Sequence, residues 1–175
     1  MSKVQRGKAD FEGEVSANID DVWDLLLDWA NLDWLLNDVT EEGMELGKVH
    51  LEGEKNAQFR VRVMTRSNVE GSGLPLVNRE VLLREDRTAY RFYYDCVDGF
   101  LHGIRNYIAN WALDPLPNNR CHITVEANFD VMETGDIDKL RATLVAVYDS
   151  MIRGLNVHFE KQYAQRGDKQ VVNHR

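Results

Sequence analysis

The side chains of this 175-residue chain that could carry chemistry are phenols, imidazoles, guanidiniums and carboxylates. Motifs for other chemistries are missing. There is no Cys-x-x-Cys, no His-Glu-x-x-His and no phosphate-cradling glycine loop. The histidines, His50, His102, His122, His158 and His174, are scattered with no pair at ligand spacing, so neither a metal nor a cofactor is expected. Serine is scarce and no Gly-x-Ser-x-Gly elbow occurs, which argues against nucleophilic hydrolysis. What remains is acid–base or electrostatic work in a dry cavity.

Four residues are the catalytic candidates: Tyr94, His158, His102 and Arg62. Tyr94 alternates with Tyr90, Phe92 and Cys96 on one strand face. His158 lies on the apolar stripe of the last helix, either as a core histidine or as an acid–base group on a cavity roof. His102 sits between Gly99 and Gly103, as a solvated loop residue or a group at a pocket mouth. Arg60, Arg62 and Arg105 are solubilising charges if their strand faces are wet. If one points inward it needs an anion, for which Glu80 or a ligand carboxylate or phenolate is the candidate.

The ligand-binding candidates follow the same alternation. Tyr90, Phe92, Tyr107 and Trp111 fall on inward faces, as core aromatics or as the lining for a flat aromatic ligand. Asn106, Asn110 and Arg60 could hydrogen-bond a ligand or face water. Trp34 comes from a short helical piece, and Val147, Met151 and Leu155 from the last helix.

These residues need elements to position them. Lys8 to Val15 alternates loosely as a strand. Asn18 precedes Ile19 with Asp20 and Asp21 following, the pattern of a helix N-terminus, and Trp29 to Leu36 makes a second short helical piece. From Val39 to Val131 the period is two, giving about six strands, with a hairpin expected across Glu85-Asp86-Arg87. Asp136 to Gln165 carries Leu140, Leu144, Val147, Met151, Leu155 and His158 at three- and four-residue steps, the stripe of a long amphipathic helix. An antiparallel sheet with one dry face and one long helix to cover it is an α+β arrangement. A single ligand-binding domain over residues 1–165, followed by a polar, flexible tail over 166–175, is the expected organisation.

A formal charge of −8 and a pI near 5.1 argue against nucleic acid or an anionic membrane as partner. Cys96 and Cys121 read as buried thiols. The opening residues show no apolar signal core, and no run reaches the roughly 18 apolar residues of a membrane span. A cytoplasmic location is expected, and a homodimer is possible.

Val22-Trp23, Trp34, Arg79-Glu80-Val81-Leu82-Leu83 with Asp86, Asn106-Tyr107 and Gly154-Leu155 carry a family resemblance. In order and spacing the chain resembles the START and birch-pollen-allergen-like helix-grip proteins (SRPBCC), in their bacterial polyketide cyclase/dehydrase-like branch, over about Phe11 to Tyr163. The resemblance implies a helix-grip fold: a curved sheet of about six to seven strands and two short helices wrapped around a C-terminal helix. It also implies a hydrophobic ligand between sheet and helix. The Leu-Pro that usually precedes the Asn-Tyr of that branch is replaced by Phe100-Leu-His-Gly-Ile-Arg. Three functions are compatible with such a cavity. The first is cofactor-independent cyclisation, dehydration or carbon–carbon lyase chemistry on an aromatic molecule. The second is a non-catalytic carrier or sensor, and the third an interaction module of the chaperone-cofactor kind.

Overall fold

Alternation of apolar and polar residues produces seven strands: β1 (Gln5–Val15), β2 (Glu45–Glu52), β3 (Arg60–Ser67), β4 (Val77–Asp86), β5 (Arg91–Cys96), β6 (Ile104–Leu116) and β7 (Arg120–Val131). The described residues also form three helices: α1 (Ile19–Leu27), α2 (Asp33–Leu36) and α3 (Ile137–Val172). The structure is a computed structural model and describes residues 4–36, 45–54, 57–67, 75–97, 101, 103–132 and 135–172. The strands form one antiparallel sheet in the order β1-β7-β6-β5-β4-β3-β2, so the chain runs from one edge, across α1 and α2, to the other edge and then back. This is the α+β helix-grip fold. Among the described residues, no helix is long and apolar enough to cross a membrane.

Local chemistry fixes the helix ends. The Asn18 side chain accepts from the Asp20 N–H at 2.9 Å, and Asp20 and Asp21 occupy the positive end of α1. Asp136 caps α3, accepting from the N–H groups of Asp138 and Lys139 at 3.0 and 3.1 Å. At its other end α3 continues to Val172, so the backbone beyond Gln165, expected as a polar tail, prolongs the helix.

α3 buries Leu140, Leu144, Tyr148, Met151, Ile152, Leu155 and Phe159 against the sheet. It is fastened on the β1 side. Arg141 donates to the Lys8 carbonyl at 2.8 Å, and Asn156 both donates to the Glu14 carbonyl and accepts from the Ser16 N–H, each at 2.9 Å. Gly154 lies under α2: a Cβ there would stand 2.9 Å from the Trp34 carbonyl oxygen, so the glycine lets one backbone approach another.

Two strand boundaries differ from the sequence pattern. Tyr90 closes the β4–β5 turn with φ 47° instead of opening β5. A bulge between Arg105 and Ile108, with Asn106 at φ 49°, shifts β6 so that Arg105 is exposed and Tyr107 buried. A bulge adds one unpaired residue and so breaks simple alternation.

Candidate functional site

On the inner sheet face, strand register sets four residues side by side. Arg62 on β3 faces Glu80 on β4, Glu80 faces Cys96 on β5, and Cys96 faces Tyr107 on β6. Arg62 and Glu80 are 5% and 2% exposed, and such a pair persists away from water only when it is bonded well. Arg62 Nε donates to Glu80 Oε2 at 2.5 Å, and Nη2 bridges to the same oxygen. The Trp29 ring covers the guanidinium at 3.9 Å, a cation–π contact, and its indole N–H donates to the Glu80 carbonyl at 3.4 Å. The second Glu80 oxygen accepts from Asn78 Nδ2 at 3.3 Å and from the Cys96 thiol at 3.5 Å. Burial, with the Glu80 charge next in effect, holds the Cys96 thiol well above its ordinary range.

The row continues as phenols. The hydroxyls of Tyr94 and Tyr107 are 3.4 Å apart, and that of Tyr107 hydrogen-bonds to the hydroxyl of Tyr148, which descends from α3. Desolvation is the main cause that raises all three pKa values above the ordinary phenol range. These groups keep their protons through neutral pH and act as hydrogen-bond donors. Phe92 stacks between Tyr94 and Trp111, with centroids 6.4 and 5.7 Å away, and Trp111 meets Tyr148 edge-on at 6.3 Å. Two buried polar atoms on this face, Asn78 Oδ1 and the indole nitrogen of Trp111, have no partner among the described residues. Groups left so are destabilising unless something else bonds to them.

The structure brings Tyr94, Tyr107, Phe92, Trp111 and Arg62 together on this face, and Arg62 takes the inward of its two expected orientations. Met151 and Leu155 are buried on α3, and Val147 is packed beside them. Other candidates stand elsewhere. His158 lines a groove of about 280 Å³ between α1 and α3 with Asp21, Asp24, Leu25 and Asp28, on a different flank of α3 from Tyr148. Ten residues of helix turn it about 80° away. Desolvation lowers its pKa. Arg60 sits at the rim, donating to the Leu27 carbonyl at 3.2 Å and paired with Glu85. Tyr90 donates to Asp20 at 2.6 Å, tying the turn to α1. Asn106 is exposed and donates to Asp130 at 2.8 Å, while Asn110 lies on the outer face by alternation with buried Ala109 and Trp111. Trp34 packs in the core with its indole N–H bound to the Asn31 carbonyl at 3.1 Å. His102 lies outside the described residues.

Sequence reasoning left Tyr148, Asn78, Cys96 and Trp29 out of the site. Tyr148 had a signal, a phenol in an otherwise apolar helical stripe. Asn78 and Cys96 join the site through strand register, and Trp29, between α1 and α2, through its contacts with Arg62 and Glu80. Among the described residues, no three His, Cys, Asp or Glu side chains gather in a way that could hold a metal ion.

Solved structures with this fold include a point mutant of norcoclaurine synthase from Thalictrum flavum in complex with a transition-state analogue. It is 18% identical, has a TM-score of 0.63, and the match covers 90% of this chain and 99% of that one. The same enzyme in complex with dopamine and hydroxybenzaldehyde matches at 18% identity and TM-score 0.62, over 90% and 88% of the chains. An uncharacterised protein from Bacillus thuringiensis is 14% identical with a TM-score of 0.66, over 87% and 98%. At such identities the likeness is one of fold. Among curated proteins, no sequence matches. The family model described as polyketide cyclase / dehydrase and lipid transport matches residues 7–160, and the chain belongs to that family.

Proposed function

We propose that this domain binds an aromatic small molecule on the inner sheet face and acts on it by cofactor-independent acid–base chemistry of the cyclase, dehydratase or carbon–carbon lyase type. The observation that carries the reading is the phenol chain Tyr94–Tyr107–Tyr148, buried among flat rings and continuous with the Arg62–Glu80 pair. Neutral phenols donate hydrogen bonds to a ligand oxygen as it gains negative charge, and can pass a proton to a departing hydroxyl. In a desolvated site such donors act strongly, because water does not compete. Arg62 acts through Glu80, as a positioning residue. Norcoclaurine synthase, of the same fold, holds dopamine and hydroxybenzaldehyde, which supports an aromatic ligand of this size.

A second reading, a carrier that returns its ligand unchanged, is favoured by one fact. All three phenols hold their protons firmly, so they supply recognition without proton abstraction. Native mass spectrometry and thermal shift against aromatic, polyketide-like and lipid compounds test for binding, and product analysis of each bound compound separates the readings. With a turned-over ligand, Tyr148→Phe is expected to lower kcat by about 10² to 10³, as loss of an oxyanion donor does. Unchanged turnover in Tyr148→Phe and Tyr94→Phe removes the acid–base reading. Recovery of intact ligand assigns the carrier, and absence of any binder across the panel removes both.

A further inference from the structure

Among the described residues, the charges on the inner face do not balance. Residues 62, 64 and 66 of β3 share one side of the strand, and Arg62 and Met64 are buried there at 5% and 3% exposure. Arg66 is half-buried and interacts electrostatically with Arg62, Glu80 and Cys96. Glu80 is already engaged by Arg62 on one oxygen and by Asn78 and Cys96 on the other. The Arg66 guanidinium donates only to the Pro75 carbonyl at 3.5 Å, the outer limit of a hydrogen bond, and has no carboxylate partner among the described residues. Among the described residues, two guanidiniums therefore share one carboxylate. Asn78 pairs in register with Met64, between the Glu80 row and Arg66, and its fully buried Oδ1 accepts from no donor among the described residues. Among the described residues, the site lacks one negative charge and, next to it, one hydrogen-bond donor.

We infer that the ligand is an aromatic carboxylate bearing a hydroxyl: its carboxylate pairs with Arg66, its hydroxyl donates to Asn78 Oδ1, and its ring extends along the inner face toward the phenols. The inference rests on the inner face being the ligand site. A guanidinium matches a carboxylate with two parallel N–H donors, so an ester of the same ring loses the interaction while keeping its apolar contacts.

Calorimetry and thermal shift with 2-naphthoate, 3-hydroxy-2-naphthoate and their methyl esters test it. Each acid is expected to bind about tenfold or more tightly than its ester, less tightly as salt rises, with the hydroxy acid the better of the two. Arg66→Gln abolishes the preference for acid over ester and Arg66→Lys restores part of it. Because Arg66 has no ion-pair partner among the described residues, Arg66→Gln is expected to leave the ligand-free melting temperature unchanged or to raise it. Equal binding of acid and ester overturns the inference while the aromatic-ligand reading stands, and so does an acid preference that survives Arg66→Gln. Failure of all four compounds to bind the unmodified protein removes that underlying reading for two-ring aromatics, and this inference falls with it.

Discussion

The two halves of the inner sheet face bury different things. β1 and β7 present Ala9, Ile123, Val125, Ala127 and Phe129, and this is where α3 is fastened. β3, β4 and β5 present Arg62, Asn78, Glu80, Tyr94 and Cys96. Apolar burial contributes stability in proportion to area, about 25 cal/mol per Å². Buried polar groups at best recover their desolvation cost. One half therefore holds the fold together. The other spends stability on arranging charge and donors, and Tyr148 is the point at which the holding helix reaches into it.

That division can be broken most directly at Glu80. Glu80→Ala strands a buried guanidinium, and an expected loss of about 3–5 kcal/mol is readable by urea denaturation. Replacing Arg62 and Glu80 together with methionine costs less than Glu80→Ala alone. A double variant as damaged as the single one shows that the pair is structural after all.

Alkaline titration is the next sharpest probe. The folded state holds the phenols of Tyr94, Tyr107 and Tyr148 above their ordinary pKa of 10.0, and the thiol of Cys121 is pushed up to about 12 by burial. The unfolded chain releases these protons first, so stability is full below about pH 9 and falls as pH rises beyond that through 10 and above. Tyrosinate absorbance from the three phenols is expected to appear together with unfolding, and Tyr148→Phe to make the decline shallower by one proton. Tyrosinate at these positions in the folded protein contradicts the dry, proton-holding half.

Gly154→Ala strikes the holding half. The added methyl meets the Trp34 carbonyl, and overpacking of about 1–3 kcal/mol exceeds the roughly 1 kcal/mol gained in helix propensity. Melting temperature falls, while the ligand preferences of the polar half stay as they were.

The holding half was legible in sequence, because alternation on β7 and the three–four spacing of α3 report burial directly. The polar half was legible only in part. At β3 consecutive Arg62, Val63 and Met64 are all buried, which removes the alternation that would have shown which way Arg62 points. Its partner Glu80 is 18 residues away, a pairing set by register across two strands. Tyr148 and His158 both sit on or beside the α3 stripe, and the choice between them depends on an angle of rotation that hydrophobic spacing does not resolve. Tyr90 leaves the strand pattern where a turn interrupts the period of two, and the bulge at Asn106 leaves that residue in the exposed one of its two expected orientations.

The clasp between Asn156 and the end of β1 has a consequence for how the molecule is made. Its bonds to Glu14 and Ser16 span 142 and 140 residues, and Arg141 reaches Lys8 across 133. Among the described residues β1 also pairs only with β7. On a ribosome the first strand therefore emerges long before its neighbours, and waits until most of the chain has been synthesised before it can pair. Contacts of such sequence separation slow folding, because distant segments must be closed together before any bond rewards them. The β1 edge is thus expected to close late in a nascent chain, and to be a place where a chaperone would have work to do.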